Sequence, residues 1–174
     1  LVCAGGEANA WPHDRTARAP RHPHELVHWL AVRLQDRARF EAIARPRMPL
    51  AASPVVHARL CEQALREGDS IDALVAGFDA FARSDDVLCV WGYYALDLLV
   101  RERGRPYPRV LDIRKIAGDF LKQKPGSLEA LVAERGLHHA QLGEGRGGER
   151  LGMLHAVTQW LVEQAQAGSY ERTA

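Results

Sequence analysis

The stretch Leu88–Ile113 decides the fold: it reads LCVWG at 88–92, YYALDLLVRERGRP at 93–106 and YPRVLDI at 107–113. An apolar run of strand length stops at Gly92, a helical pattern follows, and a second short strand ends in Asp112. This order predicts a βαβ unit with two parallel strands. Ligands of open α/β sheets bind at the carboxyl ends of such strands, so Asp97 and Asp112 mark the edge where we expect a site.

Around this unit, apolar periodicity and turn residues predict three earlier strands and further helices. The strands are 1–4, 25–34, 38–46, 87–92 and 109–113, and the helices are 55–68, 70–84, 93–103, 113–121, 127–136 and 150–166. A short hairpin joins the second and third strands, and we expect the first three strands to be antiparallel. We therefore predict an α/β fold with a mixed five-stranded sheet, three antiparallel strands then two parallel ones, flanked by helices.

Composition indicates one ordinary globular domain, which we place at 1–168 with a frayed tail at 169–174. The 174 residues are 47% hydrophobic and 26% charged, with a formal net charge of +1. The overall charge is therefore too small to indicate a polyanionic partner such as a nucleic acid. Three scattered cysteines favour buried thiols in a cytoplasmic protein, and no apolar run is long enough to span a membrane. The chain opens at Leu1 inside a strand-like run, which we interpret as a domain cut from a longer polypeptide.

Basic residues with an aromatic side chain form a second candidate site. The proline-rich segment 8–24 carries Trp11, Arg15, Arg18 and Arg21, and we interpret it either as a solvated loop or as an arm that contacts phosphates, with Trp11 stacking on a base. Arg146 lies in the Gly-rich segment 138–149, which we predict to be a loop, and Arg150 follows that segment directly. That segment lacks the Gly-Lys-Ser/Thr ending of a phosphate loop.

The order of elements, Glu7 after the first strand and Asp97 after the fourth resemble the ribonuclease H-like fold of DEDDh 3′-5′ exonucleases over nearly the whole chain. In that family the first strand ends in Asp-x-Glu, a His-Asn-x-x-Phe-Asp-like turn follows the fourth, and the last helix carries His-x-Ala-x-x-Asp. Four carboxylates hold two divalent ions, and the histidine acts as base. The resemblance implies metal ligands at Glu7 and Asp97.

The matching motifs are incomplete in this chain. Gly5 stands in place of the first aspartate, Arg150 in place of the histidine base, and His155 in place of the last carboxylate. A two-metal site needs net negative charge, and losing members of a catalytic unit costs around 10⁴-fold in rate. Glu7, Asp97 and His155 are therefore predicted to be the remnant of a catalytic site, as in a pseudoenzyme.

Several alternatives remain for these residues. A different alignment brings Glu149 near the lost carboxylate, so that His155 would help to hold one Mn²⁺ or Zn²⁺ ion. Glu7 and Asp97 would otherwise form a structural ion pair, for example with Arg150. We expect no cofactor in an inactive protein, and Mg²⁺ or Mn²⁺ in an active one.

A second, looser resemblance concerns partners. GGEANAWP at 5–12, HELVHWLAVRL at 24–34 and GRGGERLGML at 145–154 are similar to an accessory region of some DTW-type tRNA aminocarboxypropyltransferases. It implies a neighbouring domain that acts on tRNA. We therefore predict a non-catalytic module that binds RNA, such as tRNA, or another single-stranded nucleic acid, or that positions a fused or partner RNA-modifying enzyme. The alternatives are a 3′-5′ exonuclease with an altered metal site and a protein-interaction scaffold.

Overall fold

The computed structural model describes residues 1–11 and 22–168. The strands in this part of the chain are Val2–Asn9 (β1), Glu25–Arg33 (β2), Arg39–Ile43 (β3), Leu88–Val90 (β4) and Val110–Asp112 (β5). The helices are Ala52–Val56 (α1), Glu62–Glu67 (α2), Ile71–Phe81 (α3), Tyr94–Arg103 (α4), Ile113–Leu121 (α5), Leu128–Arg135 (α6) and Gly145–Gln166 (α7).

The strands form one mixed sheet in the order β3-β2-β1-β4-β5. β1 pairs antiparallel with β2, and β2 with β3, whereas β4 runs parallel to both β1 and β5. The predicted α/β fold with a mixed five-stranded sheet is therefore confirmed. Because β1 and β4 are adjacent and parallel, their carboxyl ends meet at one edge.

Apolar residues cover both faces of the sheet, which is why β2 is buried along its whole length. On one face, Trp29 and Ala31 belong to a core with Phe78 of α3 and Leu99 of α4. On the other, a core joins side chains of β1, β2 and β4 to α5, α6 and α7: Cys3, Leu30, Val32, Cys89, Ile113, Leu131, Leu154 and Val157. Burial of these residues is the main favourable contribution to folding.

Polar side chains buried at the ends of β2 fix the neighbouring loops. Arg33 donates to both carboxylate oxygens of Asp86, at 3.2 Å and 2.9 Å, and to the carbonyl oxygen of Phe81 at 2.9 Å. At the other end, the Glu25 carboxylate accepts from the backbone N–H groups of Arg47 and Met48 at 3.1 Å and 3.0 Å. These charge-assisted bonds satisfy groups that would be costly to bury alone.

Three helices begin within one residue of where their sequence signals predicted, although α3 ends at Phe81, three residues before its predicted end. The Ser70 and Ser127 hydroxyls accept from the backbone N–H groups of Ala73 and Ala130, both at 3.1 Å, and cap α3 and α6. α5 spans 113–121 as predicted. None of the helices in residues 1–11 and 22–168 combines the length and hydropathy needed to cross a bilayer.

Two elements near the start of the chain differ from expectation. β1 does not stop at Ala4 but continues through both glycines to Asn9, so Glu7 lies within the strand rather than after it. The helix predicted at 55–68 is two short helices, because Arg59 has a left-handed backbone (φ 58°) that interrupts the helical path. Cys61, which was also expected to be buried, is exposed at the start of the second of these helices, whereas Cys3 and Cys89 are buried as expected.

The largest difference is at the start of α7, which begins at Gly145 rather than at 150. The glycines here allow close packing rather than loop flexibility. A Cβ on Gly147 would lie 2.9 Å from Leu30 Cδ1 and 3.0 Å from His28 Nδ1, and one on Gly148 would lie 1.9 Å from the carbonyl oxygen of Gly143. Only glycine lets this part of the helix pack directly against β2.

Two consecutive glycines of β1 give a matched test of this packing. A Cβ on Gly6 would lie 2.5 Å from the carbonyl oxygen of His28 and 2.8 Å from Trp29 Cε3, whereas one on Gly5 would meet nothing within 4 Å. We expect Gly6→Ala to destabilise the fold by about 2 kcal/mol or more because of overpacking, and Gly5→Ala to change stability by less than about 0.5 kcal/mol. Equal losses in chemical denaturation would contradict this packing.

Candidate nucleic-acid interface

A cleft of about 250 Å³ lies where the carboxyl ends of β1 and β4 meet. Its walls come from β1, the turn after β4, the first residues of α4 and α6, and the first half of α7. The polar or small residues that line it are Gly5, Gly6, Glu7, Gly92, Tyr94, Ala95, Arg146, Gly147 and Arg150. This is the position at which the strand order predicts a ligand site.

Glu7 is the acidic residue that lines this cleft, and its side chain is only 14% exposed. It stands opposite His28 in the register of β1 and β2, beside an irregularity between Glu7 and Ala8. Burial raises the pKa of the Glu7 carboxyl above its ordinary value, and the positive charges of Arg146 and Arg150 oppose this increase. The charge that remains is balanced by arginine.

The two arginines lie one turn apart on α7. Arg146 Nη1 is 3.7 Å from Glu7 Oε2, and Arg150 forms an ion pair with Glu129 of α6. The ion-pair partner of Glu7 is therefore Arg146, and not Arg150 as the sequence suggested. The backbone N–H of Arg146 donates to the carbonyl oxygen of Ala58 at 2.8 Å, which fixes the start of the helix beside the cleft.

Asp97 is the second residue that the sequence predicted for this cleft. It is exposed and absent from the lining, where α4 presents Tyr94, Ala95 and Leu96 instead. Asp97 follows Tyr94 by three residues, so it lies about 60° around the helix from that lining residue. The lining thus contains Glu7 but not Asp97, and the metal pair that the resemblance implied stays a prediction.

His155 also lies elsewhere. It lines a separate pocket with Arg37, Arg39, His138 and His139. That pocket has no lining residue in common with the Glu7 cleft. Glu149, the alternative carboxylate, forms an ion pair with Arg59. The structure does not bring His155 and Glu149 to Glu7, as a single-metal site in this cleft would require.

Asp112 has a structural role. Its Oδ1 accepts from the backbone N–H groups of Gly92 at 3.2 Å and Arg114 at 3.0 Å, so the carboxylate caps α5 and ties β5 to the turn after β4. Asp112 thus holds the backbone at the edge where a site was expected and does not itself line the cleft.

Of the aromatic residues that line the cleft, Trp29, Trp91 and Tyr94, the exposed one is Tyr94, and the expected Trp11 is not among them. Tyr94 lines the cleft and is 55% exposed, and its hydroxyl lies 2.7 Å from His24 Nδ1. Trp11 is partly buried beside His22, with ring centroids 5.1 Å apart. Arg15, Arg18 and Arg21 lie outside the described residues. The sequence signal for Tyr94 was an aromatic pair directly after Gly92.

The donor set of the cleft does not fit a pair of divalent ions. Mg²⁺ and Mn²⁺ require several oxygen ligands, and the cleft lining offers one carboxylate beside two guanidinium groups. Within residues 1–11 and 22–168, no group of three or more His, Cys, Asp or Glu side chains is placed to hold a metal ion. What the cleft can do is bind an anion, since arginine is a bidentate donor for phosphate.

A mutation at Glu7 tests the effect of burial on its carboxyl. A carboxyl whose pKa is raised by folding binds more protons in the folded state, so folding stability falls as pH rises through that pKa. Glu7→Gln has no carboxyl at this position and does not lose stability in this way. The Tm of Glu7→Gln minus the Tm of the wild type should therefore increase from pH 4 to pH 7. Asp97→Asn controls for the loss of one negative charge. A relative Tm for Glu7→Gln that falls over this range would contradict the assignment.

Known structures show the same fold. The nuclease domain of 3'hExo, a DEDDh family member bound to rAMP, superposes with a TM-score of 0.74 at 15% identity, covering 98% of this chain and 94% of that one. Exonuclease X in complex with 5′ overhanging duplex DNA gives 0.67 at 14% identity, with coverages of 96% and 92%. Cell-death related nuclease 4 gives 0.70 at 10% identity, with coverages of 94% and 63%.

No protein-family model matches the sequence, and no curated protein matches it either. At these identities the structural likeness establishes architecture and not activity. The chain therefore has the exonuclease-like, ribonuclease H-like fold of DEDDh nuclease domains, with arginines in the cleft at the end of its central strands.

Proposed function

We propose that this chain is a non-catalytic exonuclease-like module that binds the end of a single-stranded nucleic acid in the Glu7 cleft. The observation that carries the proposal is the presence of Arg146 and Arg150 beside a lone, arginine-balanced carboxylate. A nucleic-acid phosphate needs a positive partner, and in this cleft the partner is a guanidinium instead of a metal ion. In this proposal Glu7 remains the remnant of a catalytic site, and its carboxylate restrains the side chain of Arg146.

The cleft suits one terminal nucleotide. Its volume of about 250 Å³ is below the range of about 300–1,000 Å³ typical of small-molecule pockets. Tyr94 at the cleft offers an exposed aromatic face, and stacking on such a face contributes about 1–3 kcal/mol per base without strong sequence preference. Arg146 and Arg150 would then hold the adjacent phosphates while the base stacks on Tyr94.

RNA is the polymer that we expect, and the accessory-region resemblance supports tRNA and a fused or partner RNA-modifying domain. The structural neighbours are described with both polymers: one 3′-exonuclease structure concerns recognition of a histone mRNA stem-loop, and exonuclease X carries duplex DNA. The module would contribute affinity and orientation, while the neighbouring domain performs the chemistry. Cytoplasmic placement remains part of this proposal.

Binding and turnover should separate in one set of experiments. Arg146→Gln/Arg150→Gln should weaken binding of a labelled single-stranded RNA by about tenfold or more per arginine, because each loses a charge-assisted phosphate contact. The slope of log K against log salt should fall by about two. Fluorescence anisotropy at several salt concentrations measures both quantities.

The matched control is Arg45→Gln/Arg114→Gln, which removes two exposed arginines that make no ion pair within the described residues. It should bind RNA like wild type. The same RNA should remain intact with Mg²⁺ or Mn²⁺ present. Cleavage that Glu7→Gln abolishes would overturn the proposal in favour of an exonuclease with an altered metal site, and undiminished binding by Arg146→Gln/Arg150→Gln would remove the cleft as the interface.

Restoring carboxylates tests why the cleft fails to suit metal. Gly5 has open space at its Cβ and Ala95 lines the cleft, so Gly5→Asp/Ala95→Asp/Arg146→Ala places three carboxylates around it. We expect this variant to bind Mn²⁺ at least about tenfold more tightly than wild type, because ligand number and charge set such affinities. Gly5→Asn/Ala95→Asn/Arg146→Ala matches its shape without the charge. Equal Mn²⁺ affinity of the two variants by electron paramagnetic resonance titration would contradict the account.

A further inference from the structure

A second pocket, of about 340 Å³, lies on the other side of α7 from the Glu7 cleft. Its polar walls come from three places: the turn between β2 and β3, the segment after α6, and α7 itself. The polar side chains that line it are Arg37, Arg39, His138, His139, His155 and Gln159. We refer to it as the His/Arg pocket.

The His/Arg pocket gathers positive charge without compensation. No carboxylate lines it, and neither Arg37 nor Arg39 forms an ion pair within the part of the chain that the structure describes. Most other arginines of the described residues form an ion pair. The neighbouring Asp36 forms ion pairs with Arg33 at 3.5 Å and Arg83 at 3.0 Å instead. An uncompensated cluster of this kind lowers stability by self-repulsion unless an anion binds to it.

Backbone constraints fix the segments that carry these side chains. The turn that carries Arg37 has a left-handed residue (φ 56°) and is closed by a bond of 3.0 Å from the N–H of Arg37 to the carbonyl oxygen of Arg33. The opposite wall rests directly on α7, since a Cβ on Gly152 would lie 1.8 Å from the carbonyl oxygen of Ala140. The pocket is thus built between fixed elements, which reduces the entropy lost on binding.

The chemistry of the lining selects an anion over a cation. Three imidazoles alone would suit a transition metal, but two guanidinium groups in the same pocket repel one, and no group of three metal-ligating side chains occurs within residues 1–11 and 22–168. Burial, and then the charges of Arg37 and Arg39, lower the pKa of His155. An anion between these groups would remove that repulsion.

We propose that the His/Arg pocket binds a phosphate group. Arg37 and Arg39 would donate paired N–H groups to its oxygens, with His138, His139, His155 and Gln159 as further donors from the two other walls. The phosphate comes either from the backbone of a nucleic acid or from a small phosphorylated molecule. This site is independent of the Glu7 cleft, because the two share no lining residue.

The first arm of the test uses inorganic phosphate. Titration into the wild-type chain, followed by NMR of the histidine side chains, should shift the resonances of His138, His139 and His155 and raise the pKa of His155, because the anion stabilises its imidazolium form. Arg37→Gln/Arg39→Gln should lose both effects, while Arg45→Gln/Arg114→Gln keeps them. If phosphate shifts no histidine resonance of this pocket, the proposal is overturned.

The second arm identifies the source of the phosphate. If it is a nucleic acid, Arg37→Gln/Arg39→Gln should weaken binding of single-stranded RNA by about tenfold and Arg45→Gln/Arg114→Gln should not. If RNA binding is unchanged while inorganic phosphate still binds at the pocket, the site takes a small phosphorylated molecule. Arg146→Gln/Arg150→Gln tests the cleft separately, so either site can fail without the other.

Discussion

The close approach of α7 to the central strands is the constraint on which the rest of the structure depends. A helix with side chains at 147 and 148 could not reach β2 or the carbonyl oxygen of Gly143. Further support comes from Glu41, which bonds His28 Nε2 at 3.0 Å and accepts from the N–H of Glu144 at 2.7 Å just before the helix begins. This packing places Arg146 and Arg150 over the ends of β1 and β4. It also sets His155 against the β2–β3 turn.

The same geometry determines the chemistry of the cleft. Burial raises the pKa of the Glu7 carboxyl and so disfavours its negatively charged form. Arg146, 3.7 Å away, balances the negative charge of the ionised form. Adding divalent ions to such a cleft would place positive charge against positive charge. A phosphate group is negatively charged, so the same arginines attract it. Under the proposed function, the fold keeps a position for a nucleic-acid end, and guanidinium groups contact the phosphate where metal ions would otherwise do so.

The sequence predicted the fold better than the site, for physical reasons. The apolar run at 25–34, the serine caps at 70 and 127 and the βαβ unit are local signals, and each corresponds to an observed element. The early start of α7 could not be predicted from local propensity, because glycines favour loops unless a neighbouring strand requires their small size. The sequence also could not show that the cleft lining takes Tyr94 and Ala95 but not Asp97, because this depends on how α4 packs against the sheet. Ion-pair partners such as Arg146 and Glu7 lie far apart in the chain and follow only from packing.

The most direct test of the account is a crystal structure of the chain with a short single-stranded RNA and Mn²⁺. The account predicts a backbone phosphate within about 3 Å of the guanidinium groups of Arg146 and Arg150, with no Mn²⁺ at Glu7. Two Mn²⁺ ions bound through Glu7, with the phosphate held by the metals, would contradict it.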